Sequence, residues 1–420
     1  MIQPALRVII IGAGLGGLCL AQGLLRSGFE VEVEVYERDP GPDSRRQGYR
    51  LHIDARAARG LHECLPPQLY ELFLATCGAR STQLTVVTKN LRQLKAINFP
   101  TPASPSDDPT AVSTSVDRLT LRRVLLTGLQ DVVHFGHEFT SFEQRPDGTV
   151  CAHFQDGSTA TGDILVAADG ANSRVRAQYL PHATLDDLGA WSVVGKMPIT
   201  PETKNLVPPS LDLGFTAVVG SRKLGMALGA VRFRTRPDLA AARLCPEAEL
   251  PAAEDYVMWG LSGQREAFPD GGRSLGDLDG SALRQLAQHL TADWHPTLRA
   301  LVENSPAEEV FAFAIRSSHP IPAWPTTNVT LLGDAIHAMS PARGSGANIA
   351  LMDAGKLTAH LAQRPADPLD AIRAYEAEMI DYGFAAVRDS LVVARASGGL
   401  TGLLASARTR LRGRNPARSQ

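Results

Sequence analysis

The chain has 420 residues, 44% apolar and 20% charged, the proportions of a globular protein; fibrous and wholly disordered classes are excluded, and the length asks for two or three domains or one large nucleotide-binding domain with an insertion. A formal net charge of −2 offers no basic surface to a polyanion, so nucleic acid is not expected as a partner. The five cysteines (Cys19, Cys64, Cys77, Cys151, Cys245) show no CxxC or paired spacing, which suggests neither a metal site nor a disulfide framework and fits a reducing cytoplasm.

Met1 to Arg7 runs straight into the apolar Val8 to Ile11 with no cleavage site. No segment reaches the roughly 18 uninterrupted apolar residues of a membrane span, so a soluble, cytoplasmic protein is expected. Val8 to Ile11 is β-branched throughout, as in a parallel strand covered on both faces. Glycines follow, then helical spacing over Leu18 to Arg26, then a second strand from Glu30 to Tyr36 ending in Glu37. This is a βαβ unit.

Further on, Tyr49 to Ile53 reads as a strand and Ala55 to Cys64 as a helix. Residues 82–99 alternate loosely, 100–109 form a loop, and Asp117 to Leu129 has one apolar helical side. Val132–Phe142 and Thr149–Phe154 form a meander leading to a buried strand, Asp163 to Ala168. From Ala190 to Leu261 the strand-like stretches Ser192–Met197, Leu211–Val219, Gly225–Phe233 and Tyr256–Leu261 mark a sheet-rich insertion. Nucleotide-domain character returns at Val329 to Leu332, followed by a glycine-rich loop, a helix over Gly346 to Ala362 and another over Pro368 to Arg395.

The first motif, Gly12-Ala13-Gly14-Leu15-Gly16-Gly17, fits GxGxxG at Gly12, Gly14 and Gly17. Gly12 permits the tight turn, Gly14 lets the backbone approach a pyrophosphate, and Gly17 lets helix pack on strand; the helix N-terminus adds N–H groups and a positive dipole end. Glu37, 20 residues past Gly17, stands where a carboxylate accepts hydrogen bonds from an adenosine ribose, and Arg38 adjoins it. The motif alone does not separate FAD from NAD.

Two later segments do. Leu165 to Arg176, with Asp169-Gly170 at its centre, resembles the DG fingerprint of the class A flavoprotein monooxygenases, the family of para-hydroxybenzoate hydroxylase and salicylate hydroxylase. Leu331 to His337, with Gly333-Asp334 and then Pro341, Gly344, Gly346, Asn348 and Met352-Asp353-Ala354, resembles that family's GD fingerprint. A strand-end carboxylate at Asp334 suits flavin ribityl hydroxyls, although a helix N-cap aspartate looks the same. Asp169-Gly170 also fits a plain turn. Gly344-Ser345-Gly346-Ala347-Asn348 opens a helix whose N–H groups would face the flavin edge where charge gathers on reduction. Two departures stand out: Ser345 replaces the family's usual glutamine, and Met352 its usual glutamate.

The resemblance implies an α/β fold, a Rossmann-like FAD-binding domain of the GR2 type (1–78, 104–183, 320–366) with an inserted sheet-rich α+β substrate domain (79–103, 184–319) and a C-terminal helix and tail (367–420). It implies tightly bound, non-covalent FAD, transient NADPH or NADH in a surface groove, and O2 added through a flavin C4a-hydroperoxide, hydroxylating or epoxidising a small, largely apolar molecule. The protein is expected to be a monomer or homodimer. Arg118 matches the family's helix arginine on the flavin chain, Arg45 or Arg46 an arginine guarding the flavin, and Arg174 a phosphate partner. No side chain need be a nucleophile, so the flavin-face loop Pro341, Gly344, Ser345 and Gly346 stands in for catalytic residues. Phe215, Met226, Leu228, Trp259 and Phe313 are candidates for the substrate wall, with Arg232 or Arg316 as polar contacts; each apolar one also reads as core. His52, His319 and His337 read as structural before acid–base. The tail from Arg395 to Gln420 has six arginines and no acid, a solvated terminus or a membrane-surface helix. The rival readings are a flavin-dependent halogenase, whose WxWxIP signature is missing, and a non-catalytic protein keeping the nucleotide fold.

Overall fold

The computed structural model describes residues 5–44, 48–99, 108, 110–221, 223–273 and 275–396. Arg45, Arg46 and the tail beyond 396 lie outside the described residues.

Two sheets organise the chain. The first is parallel and five-stranded, in the order Val329–Leu331, Ile164–Ala167, Leu6–Ile11, Val31–Glu37, Val133–Phe135. Its central strands are unbroken apolar runs because helices cover the sheet: Val8, Ile10, Leu165 and Val166 are each at most 1% exposed. Helix Leu15–Arg26 packs on helices Ala55–Cys64 and Gly346–Gln363, bringing the last third of the chain against the first.

The second sheet has seven strands: Phe311–Ser318, Leu185–Pro198, Tyr256–Gln264, Leu224–Val231, Gly214–Val219, Gln83–Thr88 and Gln93–Asn98. All neighbours are antiparallel except Gly214–Val219 with Gln83–Thr88. One face packs on helices Gly280–Leu290 and Pro296–Glu303 through Trp259, Leu228, Leu283 and Leu298. The other face looks towards the first sheet.

Several boundaries differ from the sequence reading. The loosely alternating 82–99 is a hairpin of two strands. Asp117 closes the strand Thr114–Asp117, and the helix begins only at Arg118, with Asp117 Oδ1 accepting from Thr120 N at 2.8 Å as its cap. The stretch from Leu211 opens with a 3-10 turn, so its strand starts at Gly214. Helices Pro67–Thr76, Pro237–Leu244 and Pro296–Glu303 went unread although each starts on proline, which suits a first helical turn.

Candidate functional site

The glycine loop is shaped by contacts that forbid side chains. Gly12 has φ +108°, and a Cβ there would lie 2.5 Å from Ala168 O, so the loop touches the end of the neighbouring strand just before Asp169. At Gly17 a Cβ would lie 2.1 Å from Gly12 O. Gly14 meets nothing within 4 Å; its surroundings are open cleft. Gly16 is tight against Leu332 and Ala350, so it serves helix packing while also bordering the cleft with Leu15. The helix has Gly14 at its N-cap and no side-chain cap, which leaves its first N–H groups and positive dipole end for a ligand.

Glu37, 4% exposed, braces this loop: Oε2 accepts from Ala13 N at 2.8 Å and Oε1 from Asp39 N at 3.0 Å. It still borders the cleft, beside the exposed Arg38. Arg122 holds the other side, donating from Nε to Ala13 O at 3.0 Å and from Nη1 to Pro42 O at 2.6 Å. It was missed in the sequence, where its spacing of four from Arg118 was the available signal.

Asp169 Oδ2 accepts from Arg174 N at 2.9 Å, whereas Oδ1 is buried with no hydrogen-bond partner among the described residues. Burial pushes its pKa up, against the pull of Ser173 and the nearby backbone N–H groups. The Arg174 guanidinium is engaged elsewhere, with Glu138 at 2.5 Å and Phe139 O at 2.9 Å. Arg176 links the two fingerprints, donating to Ala171 O at 2.9 Å and Ala335 O at 2.8 Å.

Asp334 is exposed to the cleft, whose surrounding walls hold its carboxyl away from bulk water. Burial is the largest influence on its carboxyl and raises its pKa, with His337 and Arg118 opposing; its side chain makes no hydrogen bond among the described residues. Gly333 before it has φ +60° and donates to Asp353 Oδ2 at 2.7 Å. Asp353, fully buried, also takes His337 Nε2 at 2.7 Å and Tyr382 Oη at 2.6 Å. The Met352-Asp353 segment therefore works as a bracket that sets the Gly333 backbone. His337 belongs to that bracket and does not face the cleft.

In the flavin-face loop, Gly344 is left-handed at φ +62° and Pro341, Gly344, Ser345, Gly346 and Ala347 border the cleft. Helix Gly346–Gln363 starts from Ser345 without a side-chain cap. Asn348 is 1% exposed, and its amide is committed inside the protein: Nδ2 donates to His52 O at 2.7 Å and Gly344 O at 2.9 Å, and Oδ1 accepts from Asp54 N at 2.8 Å. It positions the loop.

The substrate-wall candidates divide by strand parity. Phe215 and Phe313 border the cleft, facing the same way as Ala217, Ala227, Gly260, Ser192 and Val194. Leu228 and Trp259 pair across their strands on the opposite face. Each is 0% exposed, and Trp259 Nε1 donates to Ser305 Oγ at 2.8 Å; they belong to the core beneath, which corrects their placement in the wall. Met226 shares that covered face and is 2% exposed, although it borders the cleft. Arg316 lies at the cleft, donating to Asn172 Oδ1 at 2.9 Å, whereas Arg232 pairs with Asp212 at 3.0 Å away from it. His319 is near Asp186 on the surface.

All three fingerprints meet in one cleft of about 1920 Å³ that continues onto the second sheet, about twice the upper end for a single small-ligand pocket. The residues fit FAD. Two helix N-termini without side-chain caps suit a pyrophosphate and the polar edge of a flavin, Gly14 leaves room for close approach, and the unpartnered Asp169 Oδ1 and the open Asp334 suit hydroxyl and N–H donors.

Comparison with known proteins agrees. A family profile described as an FAD binding domain matches residues 301–389, and one described as an NAD(P)-binding Rossmann-like domain matches residues 10–73. The dual O-methyltransferase/FAD-dependent monooxygenase elcB of Phaeosphaeria nodorum is 36% identical over 388 residues, 84% of this chain and 40% of that protein. The chain thus spans about two fifths of that relative's length. A crystal structure assigned as an FAD-containing monooxygenase from Photorhabdus luminescens subsp. laumondii is 30% identical, covering 94% of this chain and 98% of that one at TM-score 0.78. Klebsiella pneumoniae HpxO, crystallised with FAD and uric acid, shares the fold at TM-score 0.75 and 22% identity, over 98% of this chain and 93% of its own. The halogenase reading finds no support among these relatives. Three fingerprints on one cleft, and a relative matched over nearly its whole length, make this chain a member of the class A FAD-dependent monooxygenase family.

Proposed function

We propose that the protein uses NAD(P)H and O2 to hydroxylate or epoxidise a small, largely apolar organic molecule on tightly bound FAD. The observation that carries the reading is the continuity of the cleft from the glycine loop to the second sheet, which lets one cavity hold cofactor and substrate together. Bound and reduced, FAD supplies the oxygen-activating chemistry.

The chain's own residues bind, aim and exclude water. The amides opening helix Leu15–Arg26 and the arch of Gly12 take the pyrophosphate; Glu37 keeps that loop in shape beside the ribose. Asp334, aimed by the Gly333–Asp353 bracket, takes the ribityl hydroxyls, and the amides at Gly346 and Ala347 take the ring edge. The inner face of the second sheet, half-buried and apolar at Phe215, Phe311 and Phe313, keeps the substrate dry above the ring. As part of the same proposal, the enzyme works as a cytoplasmic monomer or homodimer. No helix among the described residues is long and apolar enough to cross a membrane.

The test is a visible spectrum of the purified protein, followed by a screen for compounds that accelerate NAD(P)H-driven bleaching of the flavin, with the product analysed for one added oxygen atom. A colourless protein that takes up no FAD refutes the reading.

A further inference from the structure

We propose that Tyr49 positions the substrate, its hydroxyl donating a hydrogen bond to a hydroxyl or keto oxygen on a flat, fused-ring aromatic molecule. The inference rests on the monooxygenase reading and adds the substrate's shape and polar handle.

Tyr49 immediately precedes the strand Arg50–Ile53, and its carbonyl accepts from Arg118 N at 3.1 Å, which ties it to the helix beside the flavin site. Its ring borders the cleft. The Arg118 guanidinium lies 5.8 Å from the ring centroid, and the Phe311 ring lies 5.9 Å away; Phe311 stacks in turn with Phe313 at 6.2 Å. An aromatic row therefore runs from the flavin side of the cavity along one wall of the second sheet. Aromatic rings in this spacing add offset-stacking attraction for another planar ring.

One row across that sheet face is kept low. Ala217, Ala227 and Gly260 follow one another across three adjacent strands, with Val194 beyond. Beside a wall of phenyl rings, a floor of small side chains leaves a slot that is broad and shallow, the shape of a fused-ring system and a poor match for a branched aliphatic chain. The total cavity leaves space for a ligand of that size beside FAD.

The polar handle is the Tyr49 hydroxyl. Tyr49 is half-buried at the cleft and its hydroxyl makes no hydrogen bond among the described residues, so it is open to a ligand that enters there. Among the described residues, the charged groups that act on the hydroxyl are Arg118 and Asp334. Burial, the largest influence, raises the phenol's pKa, with Arg118 opposing and Asp334 adding to the rise, so the group stays protonated and available as a donor through neutral pH. A substrate oxygen is the acceptor that completes it.

The experiment uses the full-length, FAD-loaded protein and two probes of equal shape, 2-naphthol and 2-methylnaphthalene, titrated against flavin absorbance and against the rate of NADPH oxidation. In the unmodified enzyme both perturb the flavin. Tyr49→Phe reduces the affinity ratio favouring 2-naphthol about fivefold, the size of one neutral hydrogen bond, with FAD content and Tm unchanged. Phe313→Leu weakens both probes and leaves their ratio alone. An unchanged ratio in Tyr49→Phe overturns the inference, as does loss of FAD from that variant, which would place the hydroxyl on the cofactor. A protein that takes up no FAD sinks the monooxygenase reading itself; one that holds FAD and ignores both naphthalenes sinks this inference alone.

Discussion

Gly14 and Gly17 stand three residues apart in one motif, and the structure gives their side-chain hydrogens different work. In Gly17→Ala the new Cβ would sit 2.1 Å from Gly12 O and 3.1 Å from Ala168 Cβ. Since backbone oxygen cannot yield, helix Leu15–Arg26 has to move away from its strand by about an ångström. Overpacking of this kind costs about 1–3 kcal/mol, which exceeds the roughly 1 kcal/mol that alanine gains over glycine in a helix. Gly14→Ala meets nothing within 4 Å, and its backbone is extended at φ −79°, ψ −177°, so the FAD-free protein should melt within about 1 °C of wild type. The methyl would nevertheless stand where the pyrophosphate has to approach. An affinity loss of at least tenfold for FAD, about 1.4 kcal/mol, is expected. Thermal melts of FAD-free protein and fluorescence titration with FAD separate the two variants: Gly17→Ala loses stability and cofactor, Gly14→Ala loses cofactor alone. If Gly14→Ala binds FAD with unaltered Kd, the open space beside Gly14 is not the pyrophosphate site, and the placing of the whole cofactor fails with it.

Glu376 is 3% exposed, accepts from Thr326 and Thr330, and burial lifts its pKa to about 7. A carboxylic acid whose folded pKa is raised contributes stability that is complete below its unfolded value of 4.5 and is lost as pH rises through about 7, an effect of roughly 3 kcal/mol. Glu376→Gln should therefore raise Tm at pH 8 and flatten its fall between pH 5 and 8; an equal slope in both proteins would show that the side chain does not titrate there. Leu228→Ala should cost about 2–5 kcal/mol with KM unchanged. Phe313→Ala, half-buried in the cleft, should cost little stability and raise KM at least fivefold, about 1 kcal/mol; steady-state kinetics with any turned-over substrate, alongside melts, would expose a reversal of these roles. Asp353→Asn removes the charge that braces Gly333 and His337, and weaker FAD binding with an intact glycine loop is expected; unchanged FAD affinity would mean that the bracket does not aim Asp334.

Much of the fold was legible because its signals are local. An unbroken run such as Val8 to Ile11 can be satisfied only between two helix layers, and Gly12 and Gly17 announce contacts that no other residue tolerates. Those features lie within a dozen residues of one another, so spacing alone exposes them. Phe311–Ser318 went unread even though Phe311, Phe313 and Ile315 alternate with alanines, because its partner Leu185–Pro198 lies more than a hundred residues earlier and nothing nearby marks a hairpin.

The site was legible in its glycines and carboxylates and opaque in its walls. Period-two alternation states that two faces differ; it does not say which face is covered. Leu228 and Trp259 look as suitable for a substrate as Phe215 and Phe313 until helices Gly280–Leu290 and Pro296–Glu303 are seen to lie on their side. The composition of the two faces carried the clue. In Leu224–Val231 the covered face bears Leu224, Met226 and Leu228, whereas the open face bears Gly225, Ala227 and Gly229. A packed core face does not leave that much volume empty, so a strand with Gly-Ala-Gly along one face and Leu-Met-Leu along the other has a ligand, or another group, to accommodate beside the small residues. At Gly229 the group is the Arg50 side chain, whose Cδ would lie 2.7 Å from an added Cβ. At Ala227 and Gly260 the space is cleft, so the small residues there make room for a ligand while Leu228 and Trp259 on the covered face belong to the sheet's stability.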